Sequence, residues 1–372
     1  MALHALETPA VVIDGAVLER NLARAAEIAR RASVALRPHV KTHKSLMIAA
    51  RQIAGGAVGL TTAKCSEALV FIENGFSDVL VAYPLTDPRK LARLTGAARR
   101  TGARLRLIAD SEAGVTALGD AATEAGMKLE VMVKVDVGLH RCGVDPGGPR
   151  ALALARRIET HPALVFAGLL SHAGHAYGLD GPDAVRAVAE AERQTMVTLA
   201  ERLRAAGVAV PVVSVGSTPT VWLAERFDGL TEIRPGNSVF MDLTQVSLGV
   251  ARRADIALSV LASVVSVNDR FAIVDAGSKT LSSDKGPHGS DRLAGYGLAC
   301  RLDRPGEDLP VAGLSEEHGF IAHGGQPFVV GERVRIWPNH ACPVVNLARS
   351  IVFLGPDGQT EPRPVDAAAC VA

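Results

Sequence analysis

The first two-thirds of the chain alternates short aliphatic and β-branched runs with longer Ala- and Arg-rich stretches whose apolar positions recur at helical spacing. Eight runs predict strands: 34–40, 58–62, 78–82, 104–110, 129–136, 164–171, 210–215 and 231–234. Val17, Leu18, Leu22, Ala25, Ile28 and Ala29 form a helical stripe, with Asp14 placed to cap its start. Eight strand–helix units in a row predict an α/β fold of the (β/α)8 barrel kind. An open, doubly wound sheet has the same local pattern.

From about residue 250 the pattern changes. Runs at 256–267, 270–275, 332–337 and 350–354 are strand-like, separated by Gly, Pro and Asp turns, and long amphipathic helices drop out. The expected organisation is a barrel over 1–250 and a β-rich domain of ~120 residues over 251–372. A short strand at 9–13 fits either domain.

Composition narrows the function. At 372 residues the chain can bury a large core without disulfides or a structural metal. Lys and Arg number 40 against 39 Asp and Glu, a net charge of +1, which gives no footing for nucleic acid or an anionic membrane. Aromatic residues make up only 4%, too few for a platform that stacks single-stranded bases. Cys65, Cys142, Cys300, Cys342 and Cys370 form an odd, scattered set that reads as reduced thiols. The N-terminal segment lacks the pattern of a secretory signal, and no run reaches the ~18 apolar residues of a spanning helix. A cytoplasmic protein is expected.

Candidate chemistry gathers where strands are predicted to end, the face on which barrels build their sites. Arg37-Pro38-His39-Val40-Lys41-Thr42-His43-Lys44 places a lysine among cations, which lowers an amine's pKa and makes it a better nucleophile. A basic surface loop is the bland alternative. His340-Ala341-Cys342 puts imidazole and sulfur on one side of an extended segment, a pair that Zn²⁺ accepts. A buried cysteine beside a chance histidine is the more ordinary reading of the tripeptide alone. Gly216-Ser217-Thr218 and Arg234-Pro235-Gly236-Asn237 suit a phosphate cradle of main-chain N–H groups, or ordinary turns. Further clusters are Asp136 to Gly143, which includes Arg141, Ser171 to Tyr177, which includes His172 and His175, and Ser315 to Gly319. His172 and His175 suit metal ligation, acid–base chemistry or ring stacking.

Taken together, these residues resemble the D-threonine aldolases and eukaryotic-type D-serine dehydratases, fold type III pyridoxal phosphate enzymes of the alanine racemase type. The resemblance starts with the Arg37 to Lys44 motif and runs in order through Thr61-Thr62-Ala63-Lys64, Val81-Ala82-Tyr83-Pro84, Gly174-His175-Ala176-Tyr177-Gly178 and Gly216-Ser217-Thr218-Pro219-Thr220. It continues through Asp275-Ala276-Gly277-Ser278-Lys279, Ser315-Glu316-Glu317-His318 and Pro338-Asn339-His340-Ala341-Cys342. It implies an alanine-racemase-type TIM barrel holding pyridoxal 5'-phosphate and a C-terminal β-domain donating ligands to a divalent metal: Zn²⁺, Mn²⁺ or Co²⁺. Lys41, rather than Lys44, is then the Schiff-base lysine. Gly216, Ser217, Thr218, Gly236 and Asn237 match the phosphate-binding stretches. Arg141 matches an arginine near the ring oxygen, His172 a residue packed against the ring, and Tyr177 sits in the same cofactor-facing stretch. His340 and Cys342 match the metal ligands, although some aldolases of the family carry Asp in place of Cys342.

Such an enzyme breaks a bond in a small β-hydroxy-D-amino acid and works as a homodimer. Retro-aldol cleavage of D-threonine to glycine and acetaldehyde is the favoured reaction, with His175 as base for the hydroxyl proton and His172 and Lys41 in the catalytic group. Segments 81–84 and 216–220 look closer to bacterial D-threonine aldolases. Dehydration of D-serine or 3-hydroxy-D-aspartate is the runner-up, followed by 3-hydroxy-D-aspartate cleavage. A non-catalytic pyridoxal phosphate carrier fits less well, because that type lacks the second domain.

Overall fold

Asp14 ends the first strand and starts the first helix, because its carboxylate accepts the Val17 N–H at 3.0 Å. Strand β1 (Ala10–Asp14) leads into helix Gly15–Ala32, whose buried face carries Val17, Leu18, Ala25 and Ala29. The computed structural model describes residues 2–287 and 292–372. They form two compact units, one of 24–41, 46–236 and 370–372, the other of residues up to 23, 42–45 and 237–369.

The first unit is a parallel barrel. Its strands are β2 (Ala35–Leu36), β3 (Leu60–Thr62), β4 (Asp78–Val81), β5 (Arg104–Ala109), β6 (Leu129–Lys134), β7 (Leu164–Leu170), β8 (Val212–Val215) and β9 (Glu232–Ile233). They run in the order β2-β9-β8-β7-β6-β5-β4-β3, each parallel to its neighbour. A parallel bridge between His39 and Thr61 joins the two ends, with Thr61 N–H donating to Pro38 O at 2.8 Å and Val58 N–H to Leu36 O at 2.9 Å. The sheet closes, which alternation alone left open. All eight predicted strands are present. Those expected at 34–40 and 231–234 are cut to two residues each, because Pro38 and Pro235 have no N–H to extend a ladder.

The second unit is antiparallel. Its strands are β10 (Leu258–Val267), β11 (Phe271–Val274), β12 (Gly297–Arg301), β13 (Leu309–Leu314), β14 (Gly319–Ala322), β15 (Arg333–Pro338), β16 (Ser350–Leu354) and β17 (Thr360–Pro364). The order β10-β11-β14-β13-β12-β15 returns to β10 and makes a closed six-stranded barrel. β1 joins this unit, antiparallel to β10 and parallel to β16. Strands β12, β13, β14 and β17 escaped the sequence pattern. Pro310 and a register shift between Val311 and Gly313 break the alternation of β13, and β12 and β14 are short and rich in Gly and Ala. Among the described residues no helix is long and apolar enough to cross a membrane.

A ring of paired charges ties the parallel barrel together. Arg37, 1% exposed, donates to Glu232 on β9 and to Asp78 on β4, each at 2.7 Å. Arg106 on β5 bonds Glu130 on β6 at 2.8 Å and reaches Asp78 at 3.3 Å, and Ser214 on β8 donates to Glu232 at 2.6 Å. Gly59 leaves the space that the Arg37 guanidinium fills. Burial opposes the charge on Glu232, but Arg37 outweighs it and holds the carboxyl below its ordinary range. That stabilisation is fully present above the ordinary carboxylate pKa of about 4 and is lost as pH falls through the lower folded value. Replacing Arg37 by Ala would leave buried Glu232 without its ion-pair partner, while Asp78 keeps Arg106, and is expected to cost about 3–5 kcal/mol. Urea unfolding at pH 7 measures this; a loss under about 1 kcal/mol would show that the ring contributes little.

Candidate active site

Pro38 stops β2, and the chain turns through a short 3-10 segment, Val40–Thr42, that presents Lys41 at the C-terminal end of the barrel strand. His39 shapes the turn, its Nδ1 accepting the Lys41 N–H at 3.3 Å. Lys41 is half-buried. At the end of β7, Ser171 and His172 precede the 3-10 segment Gly174–Gly178, which holds His175 and buried Tyr177. At the end of β8, Gly216 adopts φ +109°, and a side chain there would meet Val221 Cγ2 at 2.6 Å. Ser217 and Thr220 form a capping box that opens helix Thr218–Leu223. His172 Nδ1 lies 3.5 Å from Gly216 O, so the β7 and β8 ends meet.

Beneath them is a buried charged cluster. Glu192 accepts from Ser171 Oγ at 2.6 Å and from Gly216 N–H at 3.4 Å, pinning both strand ends. Arg234, at the end of β9, donates to Ser214 Oγ at 2.5 Å and to the Ser171 carbonyl. Burial pushes the Arg234 guanidinium down to about 10, against the pull of Glu232 and Glu192. Burial likewise pushes Lys134, at the end of β6, down to about 8; Cys142 and Glu192 oppose the shift, while Arg234 and Arg141 add to it. Arg141 itself is exposed, on a loop organised by Asp136, which accepts from Gly138 N–H, His140 N–H and His140 Nδ1 at 2.9–3.0 Å. On that loop, Gly138 backs onto His175: a side chain at Gly138 would lie 3.2 Å from the imidazole. His175 Nδ1 is buried and has no hydrogen-bond partner among the described residues.

The other candidate residues lie in the antiparallel unit. His340 follows β15 and Cys342 opens helix Ala341–Leu347. The two side chains hydrogen-bond one another, and His340 Nδ1 lies 2.9 Å from Asp284 Oδ2. Burial opposes a charged His340, but Cys342, Asp284 and Asp242 outweigh it and push the imidazole up to about 10. Thr42, the residue after Lys41, places Oγ1 3.3 Å from Cys342 Sγ. Two motifs 300 positions apart are thus joined, one peptide bond from the lysine. Asp242, fully buried, accepts from Asn237 Nδ2 at 2.5 Å and from Ala341 N–H at 3.0 Å.

These residues fit the two groups that the resemblance implies. Gly216 offers an open main-chain turn, and half-buried Lys41 offers a primary amine. The Asn237 amide nitrogen donates to Asp242, and its Oδ1 has no partner among the described residues, so the main-chain N–H is the group of Asn237 that suits a phosphate. Among the described residues no cluster of three or more His, Cys, Asp and Glu could hold a metal. His340 and Cys342 form a two-donor pair whose remaining positions stay open, as in catalytic metal sites. Asp284 meets His340 at Nδ1, where a carboxylate usually sits when a histidine binds a metal through its other nitrogen. Sequence reasoning missed Lys134, Glu192, Asp242 and Asp284 as members of these clusters, and named Thr42 and Arg234 only within their motifs, without a role of their own. Only Glu192 had a readable signal: it interrupts the apolar stripe Val185, Ala189, Met196 and Leu199 of helix Gly181–Ala205.

Comparison with known proteins places this arrangement. The alanine racemase N-terminal domain matches residues 13–244, and a putative serine dehydratase domain matches residues 257–354. The D-threo-3-hydroxyaspartate dehydratase of Delftia sp. strain HT23 is 40% identical, covering 96% of this chain and 97% of its own length. A D-threonine aldolase of Arthrobacter is 32% identical over 96% of this chain and 92% of its own length. A structure of the D-threo-3-hydroxyaspartate dehydratase with a cysteine replaced by alanine, in the metal-free form, superposes with a TM-score of 0.91 at 40% identity, covering 97% of this chain and 98% of that one. The chain therefore belongs to the fold type III pyridoxal phosphate enzymes that join an alanine racemase N-terminal domain to a serine dehydratase domain.

Proposed function

We propose that this chain is a pyridoxal phosphate- and divalent-metal-dependent lyase that removes water from a β-hydroxy-D-amino acid of the 3-hydroxy-D-aspartate type. The observation that carries the reading is the contact of Thr42 with Cys342, which ties the lysine motif to the His340–Cys342 pair. Dehydration is supported by 40% identity over nearly the full length to a D-threo-3-hydroxyaspartate dehydratase, against 32% to a D-threonine aldolase. Retro-aldol cleavage is the second reading, favoured by segments 81–84 and 216–220, which resemble the bacterial aldolases.

When bound, pyridoxal phosphate supplies a ring that accepts electrons from the bonds at Cα, and the metal a Lewis acid for the β-oxygen. Lys41 would hold the cofactor through its primary amine, and that amine, when free, would take the α-proton of the substrate. Main-chain N–H groups at Gly216, Ser217, Thr218, Gly236 and Asn237 hold the phosphate. His172, Tyr177 and Arg141 orient the ring, with Glu192 fixing the strand ends on which His172 and Gly216 sit. His340 and Cys342 hold the metal. His175, with its unpartnered Nδ1, would give the departing hydroxyl the proton with which it leaves as water; in the retro-aldol reading it would instead take that hydroxyl's proton.

Product analysis with 3-hydroxy-D-aspartate, D-serine and D-threonine decides between the two bonds. A keto acid plus ammonia is expected; glycine plus an aldehyde would establish the aldolase instead. Lys41→Ala is expected to lose the absorbance band near about 420 nm and to cut turnover at least a hundredfold, about the least that removing a catalytic acid–base group costs. A band that survives the substitution would move the linkage to another lysine.

Below about pH 10 the metal-free His340 carries a proton that the metal must displace. As pH falls that proton competes better, so apparent Zn²⁺ affinity is expected to fall at least about tenfold per unit between pH 8 and 6. Chelator competition measures it, and an affinity that does not change with pH would remove His340 from the ligands.

A further inference from the structure

One buried side chain touches both the turn assigned to the phosphate and the pair assigned to the metal. Asp242 Oδ2 accepts Asn237 Nδ2 at 2.5 Å and the Ala341 N–H at 3.0 Å, while its Oδ1 accepts the Gln245 N–H at 3.1 Å and starts helix Leu243–Ser247. Two residues on, Thr244 donates its N–H and its hydroxyl to Asn339 O at 3.2 and 2.7 Å. Both peptide groups flanking His340 are therefore held by one short segment, 242–244.

The other end of that segment is Asn237. Its carbonyl accepts the Phe240 and Met241 N–H groups at 3.1 and 2.8 Å, and Met241 sits at φ +54°, a left-handed conformation that non-glycine residues rarely adopt. This tight turn carries the chain from Asn237 to Asp242 in five residues. A carboxylate oxygen shared by two donors cannot keep both bonds when either donor shifts. An anion that fixes the Asn237 main chain therefore fixes Oδ2, and Oδ2 fixes the peptide between His340 and Cys342.

We propose that Asp242 is a positioning residue that couples the anion held at Gly236–Asn237 to the metal held at His340–Cys342, so that each ligand tightens the other. The inference rests on the ligand assignments under the proposed function. By linkage the effect is mutual, and couplings of this kind run from about 5-fold to about 150-fold. A merely structural Asp242 would support the fold and both affinities without linking them.

The test measures Zn²⁺ dissociation constants by chelator competition on the full-length protein, loaded with pyridoxal phosphate and after its removal with hydroxylamine. The wild type is expected to bind Zn²⁺ at least about 5-fold more tightly when loaded. Asn237→Ala cuts the Nδ2 link but leaves the Ala341 bond. It is expected to bring the loaded-to-stripped ratio to within about twofold of one, with stripped-form affinity within about threefold of wild type. Asp242→Asn is expected to weaken Zn²⁺ binding by about 10–100-fold in both forms, with circular dichroism checking the fold. A wild-type ratio near one with both ligands bound overturns the coupling, as does an Asn237→Ala variant that keeps the wild-type ratio. If Asp242→Asn fails to fold, Asn237→Ala alone decides. A wild type that binds neither Zn²⁺ nor pyridoxal phosphate sinks the underlying functional reading instead.

Discussion

The contact of Thr42 with Cys342, just past the boundary at Lys41, is the constraint on which the antiparallel part of the candidate site depends. On one side the chain belongs to the parallel barrel; on the other, residues 42–45 belong to the antiparallel unit. Thr42 meets Cys342 there. That contact joins residues 300 positions apart within the antiparallel unit.

Each unit solves a different electrostatic problem. The barrel buries cations: Arg37 is paired in a ring of carboxylates, while burial presses the pKa values of Arg234 and Lys134 down against the pull of Glu192. A buried amine or guanidinium short of counter-charge is a place where an anionic ligand is welcome. The antiparallel unit does the reverse, placing Asp284, Asp242 and Cys342 about one imidazole, so that a positive charge is favoured. The proposed phosphate and the proposed metal would meet these two surroundings.

Much of this was legible in the chain. Strand alternation, helical stripes and the Asp14 cap are local, set by residues a few positions apart, and all eight barrel strands were read from them. Lys41 and the His340–Cys342 pair were picked out because their chemistry is unusual for their surroundings. Strands β12, β13, β14 and β17 were missed where Pro, Gly and register shifts blur the alternation. Asp242 and Asp284 were missed for another reason: each is an ordinary residue in sequence, made special only by partners 99 and 56 positions away.

The sequence by itself determined the strands of the parallel barrel, the change from mixed α/β to β-rich structure, and the residues able to do chemistry, since these rest on composition and short-range pattern. The tertiary structure alone decided that the sheet closes through His39 and Thr61, that β1 pairs with β10 and β16, and that Thr42 meets Cys342. Register, closure and charge pairing depend on distances between residues far apart along the chain. No local pattern of apolar and polar positions encodes those distances.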